Sequence, residues 1–79
     1  MARREFRWND WNVNHIAKHC VWPEQAEHVV RFARRPYPRR AAKRKYLVIG
    51  RDAAGQMLRD IYLMDEQDMI YVIHAMPTR

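Results

Sequence analysis

Tyr46-Leu47-Val48-Ile49, Met57-Leu58-Arg59-Asp60-Ile61-Tyr62-Leu63-Met64 and Met69-Ile70-Tyr71-Val72-Ile73-His74-Ala75 are three apolar runs rich in β-branched and aromatic residues. Such runs read as strands. The segments between them, Asp52-Ala53-Ala54-Gly55 and Asp65-Glu66-Gln67-Asp68, are short and polar. Links of that length close antiparallel hairpins and cannot hold a parallel crossover. The second half of the chain is therefore a three-stranded antiparallel meander.

Two helices are expected before it. Asn9 or Asp10 can cap the first. Val13, Ile16, Ala17 and Cys20 follow at i, i+3, i+4 and i+7, one apolar face of a helix. Asn12, His15, Lys18 and His19 occupy the other side. The second helix starts at Trp22-Pro23-Glu24, with proline suited to the first position and glutamate to the positive end of the helix dipole. Ala26, Val29, Val30 and Ala33 form its apolar face, and Pro36 and Pro38 end it. Phe6-Arg7-Trp8 is expected as a short first strand. Residues 1–79 thus form a single α+β domain: one short strand, two helices on one face, then the meander. The expected core is Val13, Ile16, Ala17, Val29, Val30 and Ala33 against Val48, Ile61 and Ile73, with Cys20, Trp8, Trp11 and Trp22 also inside.

The charge narrows the function. Lysine and arginine number 15 against 9 acids, for a net charge of +6. Eight of those bases fall in residues 31–45, which hold no acid. A clustered excess of this kind calls for a polyanionic partner: nucleic acid, an anionic membrane or an acidic protein. Arg34, Arg35, Arg39, Arg40, Lys43, Arg44 and Lys45, with Tyr37 among them, suit a phosphate backbone whose bases stack on the ring. The same stretch also reads as a solvated loop or a docking surface for an acidic protein. No apolar run spans a membrane, and no signal peptide opens the chain. The single cysteine, Cys20, forms no internal disulfide and fits a reducing cytoplasm. His15 and His19 share a helix face, but no further ligand pattern accompanies them, so neither a metal nor a cofactor is expected.

The order of motifs resembles a known family. Phe6-Arg7-Trp8-Asn9, Asn14-His15-Ile16-Ala17-Lys18-His19, an acidic second helix, Tyr46-Leu47-Val48-Ile49-Gly50-Arg51 and Tyr71-Val72-Ile73-His74-Ala75 together look like the BrnT family of ribonuclease toxins. That resemblance implies a RelE-like fold, metal-independent cleavage of messenger RNA, free or ribosome-bound, and neutralisation by a cognate antitoxin. DNA would be met only through the antitoxin. Three positions depart from the family pattern. The glycine after Lys-His is Cys20 here, the arginine after the last-strand alanine is Met76, and the family runs on past a Thr-x-Arg-Glu segment where this sequence has Thr78-Arg79.

The implied chemistry is attack of the RNA 2′-hydroxyl on the adjacent phosphate. It needs a base, an acid and fixed positive charge. His19, Lys18, Arg51 and His74 are the candidates the resemblance supplies, with His19 and Arg51 expected to meet across a helix–sheet cleft. Each has a plainer reading. Lys18 can be a solvated lysine, His19 a helix cap, Arg51 a partner of Asp52 or Asp60, and His74 an ordinary sheet residue. A non-catalytic RNA- or protein-binding module of the same fold is the alternative function. A DNA-binding regulator is disfavoured, because nothing between the helices reads as a helix-turn-helix.

Overall fold

Asn9 starts the first helix. Its side chain accepts the Asn12 amide at 3.2 Å, and the Asn12 side chain accepts the Asn9 amide at 2.8 Å. This reciprocal cap satisfies two donors that a helix start leaves open. In the computed structural model, which describes residues 4–78, helix α1 spans Asp10–Ala17 and helix α2 spans Pro23–Arg31. Asn12 is fully buried and also donates to the Arg7 carbonyl at 3.0 Å, tying the entering chain to α1.

The end of α1 decides what the helix buries. Cys20 adopts φ +60°, its amide bonds to Ala17 O at 2.9 Å, and the Val21 amide bonds to Ile16 O at 3.3 Å. This is a Schellman end, in which the residue in the left-handed region turns the chain back across the helix. It swings Val21 into the core and leaves Ala17 and Cys20 exposed. Both were expected inside. Cys20 lies beyond Ala17, the last residue to which the helical periodicity applies, and Ala17 itself faces solvent from the final turn.

Helix α2 begins as its sequence implies, with Pro23 at the start and the Gln25 side chain accepting the Trp22 amide at 2.7 Å. It ends at Arg31, before the prolines, with Phe32 as its cap.

Four strands follow: β1 Arg39–Ala42, β2 Lys45–Arg51, β3 Met57–Met64 and β4 Ile70–Pro77, in the order β1-β2-β3-β4 and all antiparallel. The meander is as expected, but the fourth strand is not the expected one. Phe6-Arg7-Trp8 makes only an isolated parallel bridge, Phe6 to Ile70, through Arg7 N to Ile70 O and Ile70 N to Glu5 O, both 2.8 Å. The extra strand comes instead from the basic stretch. β1 is fully exposed and contributes its backbone rather than an apolar face. Short, arginine-bearing edge strands also resist pairing with another chain.

Alternation divides the sheet. Val48, Leu58, Tyr62, Val72 and Ala75 join Ile16, Val21, Ala26 and Val29 of the helical layer in the core. A Cβ on Gly50 would lie 3.6 Å from Val29, so β2 passes close under α2. Ile61 and Ile73, expected in this core, are half-buried. Ile61 alternates to the other face, and Ile73 is the residue left over at a bulge, since Ile61 pairs with His74 and Tyr62 with Val72. Val13, Val30 and Ala33 are half-buried, the last two packed against the core.

Two of the three tryptophans lie outside. Trp11 is 55% exposed and Trp22 63%. Trp8 is half-buried and donates to Glu27 at 2.7 Å. No helix among the described residues is long and apolar enough to cross a membrane.

Candidate functional site

α1 packs along β4, an edge strand. Trp11 and His15 stand four residues apart, so they project from one side of α1, and His19 follows in the turn that ends it. That side meets β4. Trp11 and His15 stack at 4.7 Å, Trp11 lies 6.3 Å from the Tyr71 ring, and the Tyr71 hydroxyl donates to Asn9 Oδ1 at 3.1 Å. At the other end of this seam the His19 and His74 rings are 5.5 Å apart, edge to face. Two candidates separated by 55 positions in the chain are thus brought into contact.

The electrostatics follow from the neighbours. His74 is half-buried, and loss of solvation is the main cause that lowers its pKa below the usual 6.5. His19, His15 and Arg59 add positive charge that lowers it further. Arg59 is a contributor the sequence did not reveal. It lies on β3 opposite Met76, while Ile61, two residues on, lies opposite His74. Arg59 and His74 are therefore diagonal neighbours on one face of the sheet. Strand register brings them together, and register is not legible in residue spacing. Lys18 is exposed at the C-terminal cap of α1, beside His19.

Arg51 lies elsewhere. It ends β2, two strands from β4, and its guanidinium donates to Gly55 O at 2.8 Å across the β2–β3 turn. Its carbonyl lies 3.2 Å from His28 Nδ1. A carbonyl only accepts, so a hydrogen bond here requires the His28 proton on Nδ1. No hydrogen bond, ring contact or shared cavity joins Arg51 to His19 among the described residues. Arg51 also pairs with neither neighbouring aspartate. Asp52 is buried and accepts from Gln25 Nε2 at 2.9 Å and from the amides of Ala54 and Gln56 at 3.0 and 2.8 Å. The Gln25 bond is the chief cause that holds its pKa below the ordinary value. Asp60 lies on the helix-packed face, fully buried, with no partner for either oxygen among the described residues. Burial alone pushes its pKa up to about 8.

The basic stretch is only partly free to bind. Arg44 has φ +58° in the β1–β2 turn and donates to Met64 O at 2.8 Å and to Asp68 at 3.2 Å. Its role is to fasten that turn to the β3–β4 turn. Arg34, Arg35, Arg39, Arg40 and Lys43 are exposed, and Lys45 is half-buried. The Arg39 guanidinium lies 5.7 Å from the centre of the Tyr37 ring, which is half-buried against the core. Arg34, Arg35 and Tyr37 line a cavity of about 560 Å³ together with His28, Phe32 and Arg51. Among the described residues no group of three or more His, Cys, Asp and Glu is arranged to hold a metal ion.

No family model, no curated protein and no solved structure matches the chain.

Proposed function

We infer that this protein is a metal-independent endoribonuclease acting on messenger RNA, a toxin of the BrnT type with a RelE-like fold, held inactive by a cognate antitoxin. The observation that carries the reading is the His19–His74 contact at 5.5 Å. In-line cleavage of RNA needs one group to take the 2′-hydroxyl proton and another to give a proton to the departing 5′-oxygen. His74, with its lowered pKa, is neutral near pH 7 and suits the base. His19 in its protonated form supplies the leaving-group proton. The 2′-oxygen forms a bond to phosphorus as the 5′-oxygen bond breaks, so the products are a 2′,3′-cyclic phosphate and a free 5′-hydroxyl. Arg59 and Lys18 supply fixed positive charge for the phosphate in transit. Trp11, exposed beside His15, offers a ring on which a neighbouring base stacks.

The departure at Met76 weighs less in this arrangement. The family resemblance places an arginine there, and Arg59 is the cross-strand partner of Met76. A cation therefore stands next to the position where one is missing. Arg39 and Arg40 lie on β1, at the opposite edge of the sheet from β4. Three strand spacings of about 4.8 Å separate those edges, a reach of two or three nucleotides.

The alternative, a binding module without catalysis, keeps Met76 in its favour. Cleavage of a messenger RNA by the purified protein decides between them. Parent protein that cuts in the presence of a chelator, with His19→Gln and His74→Gln folded but inactive, supports the nuclease. Binding without cleavage in the parent supports the module.

A further inference from the structure

The β2 flank carries a second set of groups that the His19–His74 pair does not use. β1 pairs with Lys45, Tyr46 and Leu47 of β2 and no further along that strand. Beyond that point the edge of β2 is not covered by β1, and the cavity of about 560 Å³ lies there, under the chain that leaves α2. A volume of this size is within the roughly 300–1,000 Å³ of small-ligand sites.

Its lining is of two kinds. The Arg34, Arg35 and Arg51 guanidiniums supply positive charge. Neither Arg34 nor Arg35 makes a side-chain hydrogen bond or ion pair among the described residues, and Arg51 spends one nitrogen on Gly55 O. Asp52 also lines the cavity, but both its oxygens are engaged by Gln25, Ala54 and Gln56. The aromatic part is His28, Phe32 and Tyr37. Phe32 is 65% exposed, and the His28 and Phe32 rings lie 4.5 Å apart. A large ring left in water beside unpaired guanidiniums is what a ligand with a flat apolar part and an anionic part requires. In its neutral form with Nδ1 donating to the Arg51 carbonyl, His28 presents Nε2 as an acceptor for the exocyclic amine of a base.

We propose that this cavity is a binding site for one 5′-nucleotide unit, with its base against Phe32 and His28 and its phosphate on Arg34, Arg35 and Arg51. The unit is a free nucleoside monophosphate or one residue of single-stranded RNA. The site is separate from the His19–His74 seam and does not depend on cleavage there.

Adenosine 5′-monophosphate is the probe, titrated into the ¹⁵N-labelled full chain while amide shifts are followed. Saturable shifts at Phe32, Ile49 and Arg51 are expected. Adenosine alone and ribose 5-phosphate alone each bind at least tenfold more weakly, because each lacks one half of the match. Phe32→Ala weakens binding roughly fivefold or more, the lower range for one stacked base. Arg35→Gln weakens it and flattens its salt dependence, and serves as a second variant should Phe32→Ala fail to fold. The tetranucleotide rA4 separates the two sources: tighter binding than the monophosphate assigns an RNA residue, equal binding a free nucleotide. The His19→Gln/His74→Gln double variant retains the shifts, so loss of cleavage and loss of this site are read independently. No saturable binding, shifts confined to Trp11 and His19, or binding of ribose 5-phosphate equal to that of the nucleotide would each overturn the proposal.

Discussion

The two flanks of the sheet differ in residue type. Along β4 lie the imidazoles of His15, His19 and His74, with Arg59 beside them. Along β2 lie Arg34, Arg35 and Arg51, whose charge is fixed, with aromatic rings between. Proton transfer and charge-based binding make opposite demands on solvation. A base works best when partly desolvated and neutral, whereas guanidiniums bind phosphate while staying charged. If the proposed cleavage and nucleotide sites are both present, their separation across β3 lets each environment be set on its own. β3 runs between them and carries the buried, unpartnered Asp60.

The largest expected effect comes from that shared strand. Asp60 keeps its proton in the folded protein up to about pH 8, whereas the unfolded chain ionises near 3.8. Below 3.8 both states hold the proton and the residue has no pH effect. Between those values the folded state binds one proton more, so stability falls as pH rises, by about 1.4 kcal/mol per unit, and flattens above pH 8. Urea unfolding at pH 5 and pH 8 should show Asp60→Asn losing this slope, a difference of several kcal/mol across the range. His74 and the lowered Asp52 and Asp65 titrate in the opposite sense in both proteins, so the difference between the two curves isolates Asp60. Identical slopes would mean that Asp60 is solvated. Alkaline loss of one flank's function without the other would break the view that β3 supports both.

The next effect separates the flanks directly. His19→Gln and His74→Gln should each lower the cleavage rate by about 10²–10⁴ while leaving RNA affinity nearly intact. Arg51→Gln should weaken affinity and leave the rate at saturating RNA within a few-fold. A drop of comparable size in the saturated rate for Arg51→Gln would merge the two flanks into one site. The pH profile sharpens the point. Because the His74 pKa is lowered, the rising limb of kcat/KM should lie below pH 6.5, and Arg59→Gln should move it upward by removing one of the charges that lowers it.

Salt dependence gives a smaller but cleaner contrast. Neutralising Arg39, Arg40 and Lys43 should reduce the slope of log K against log salt by up to about 0.7 for each RNA phosphate that they cease to neutralise. Adding Arg44→Gln should change the slope little, because that guanidinium already serves Met64 O and Asp68. It should lower stability instead. A further slope change of full size from Arg44 would mean that RNA displaces those bonds.

What the sequence revealed and concealed divides along the same physical line. Pro23, the two polar hairpin links and a cap at Asn9 or Asp10 act locally, through caps and short turns, and were legible, though the choice of Asn9 was not. The α+β class and the antiparallel meander followed from them. β1 was not legible, since Arg39–Ala42 join the sheet through backbone alone and have no apolar alternation to show. The size of Trp11 and Trp22 points to the core, yet a domain with two short helices has little interior for three indoles. His19 and His74 were each readable as candidates. Their approach, and the part of Arg59, depend on a register shifted by the bulge at Ile73, which spacing does not encode.

The smallest prediction concerns Cys20, a non-glycine residue in the left-handed region beside the His19–His74 seam. Cys20 sits at φ +60° one residue after His19, so the conformation that turns the chain also sets the approach of His19 to His74. A residue with a Cβ is disfavoured in that region by roughly 1–2 kcal/mol, whereas glycine enters it freely. Glycine also gives the unfolded chain more freedom, which offsets about 0.4–1 kcal/mol of the gain. Cys20→Gly should therefore stabilise the domain by between about 0 and 1.6 kcal/mol, read as a small rise in urea midpoint at unchanged m-value. Cys20→Val should do the reverse and by more, because a β-branched side chain is least tolerant of positive φ. If the left-handed turn positions His19, Cys20→Val should also lower the cleavage rate while nucleotide binding at the β2 flank stays unchanged. Equal stability of the glycine, cysteine and valine forms would show that residue 20 leaves the left-handed region in solution, and the seam would then need another element to hold His19 against His74.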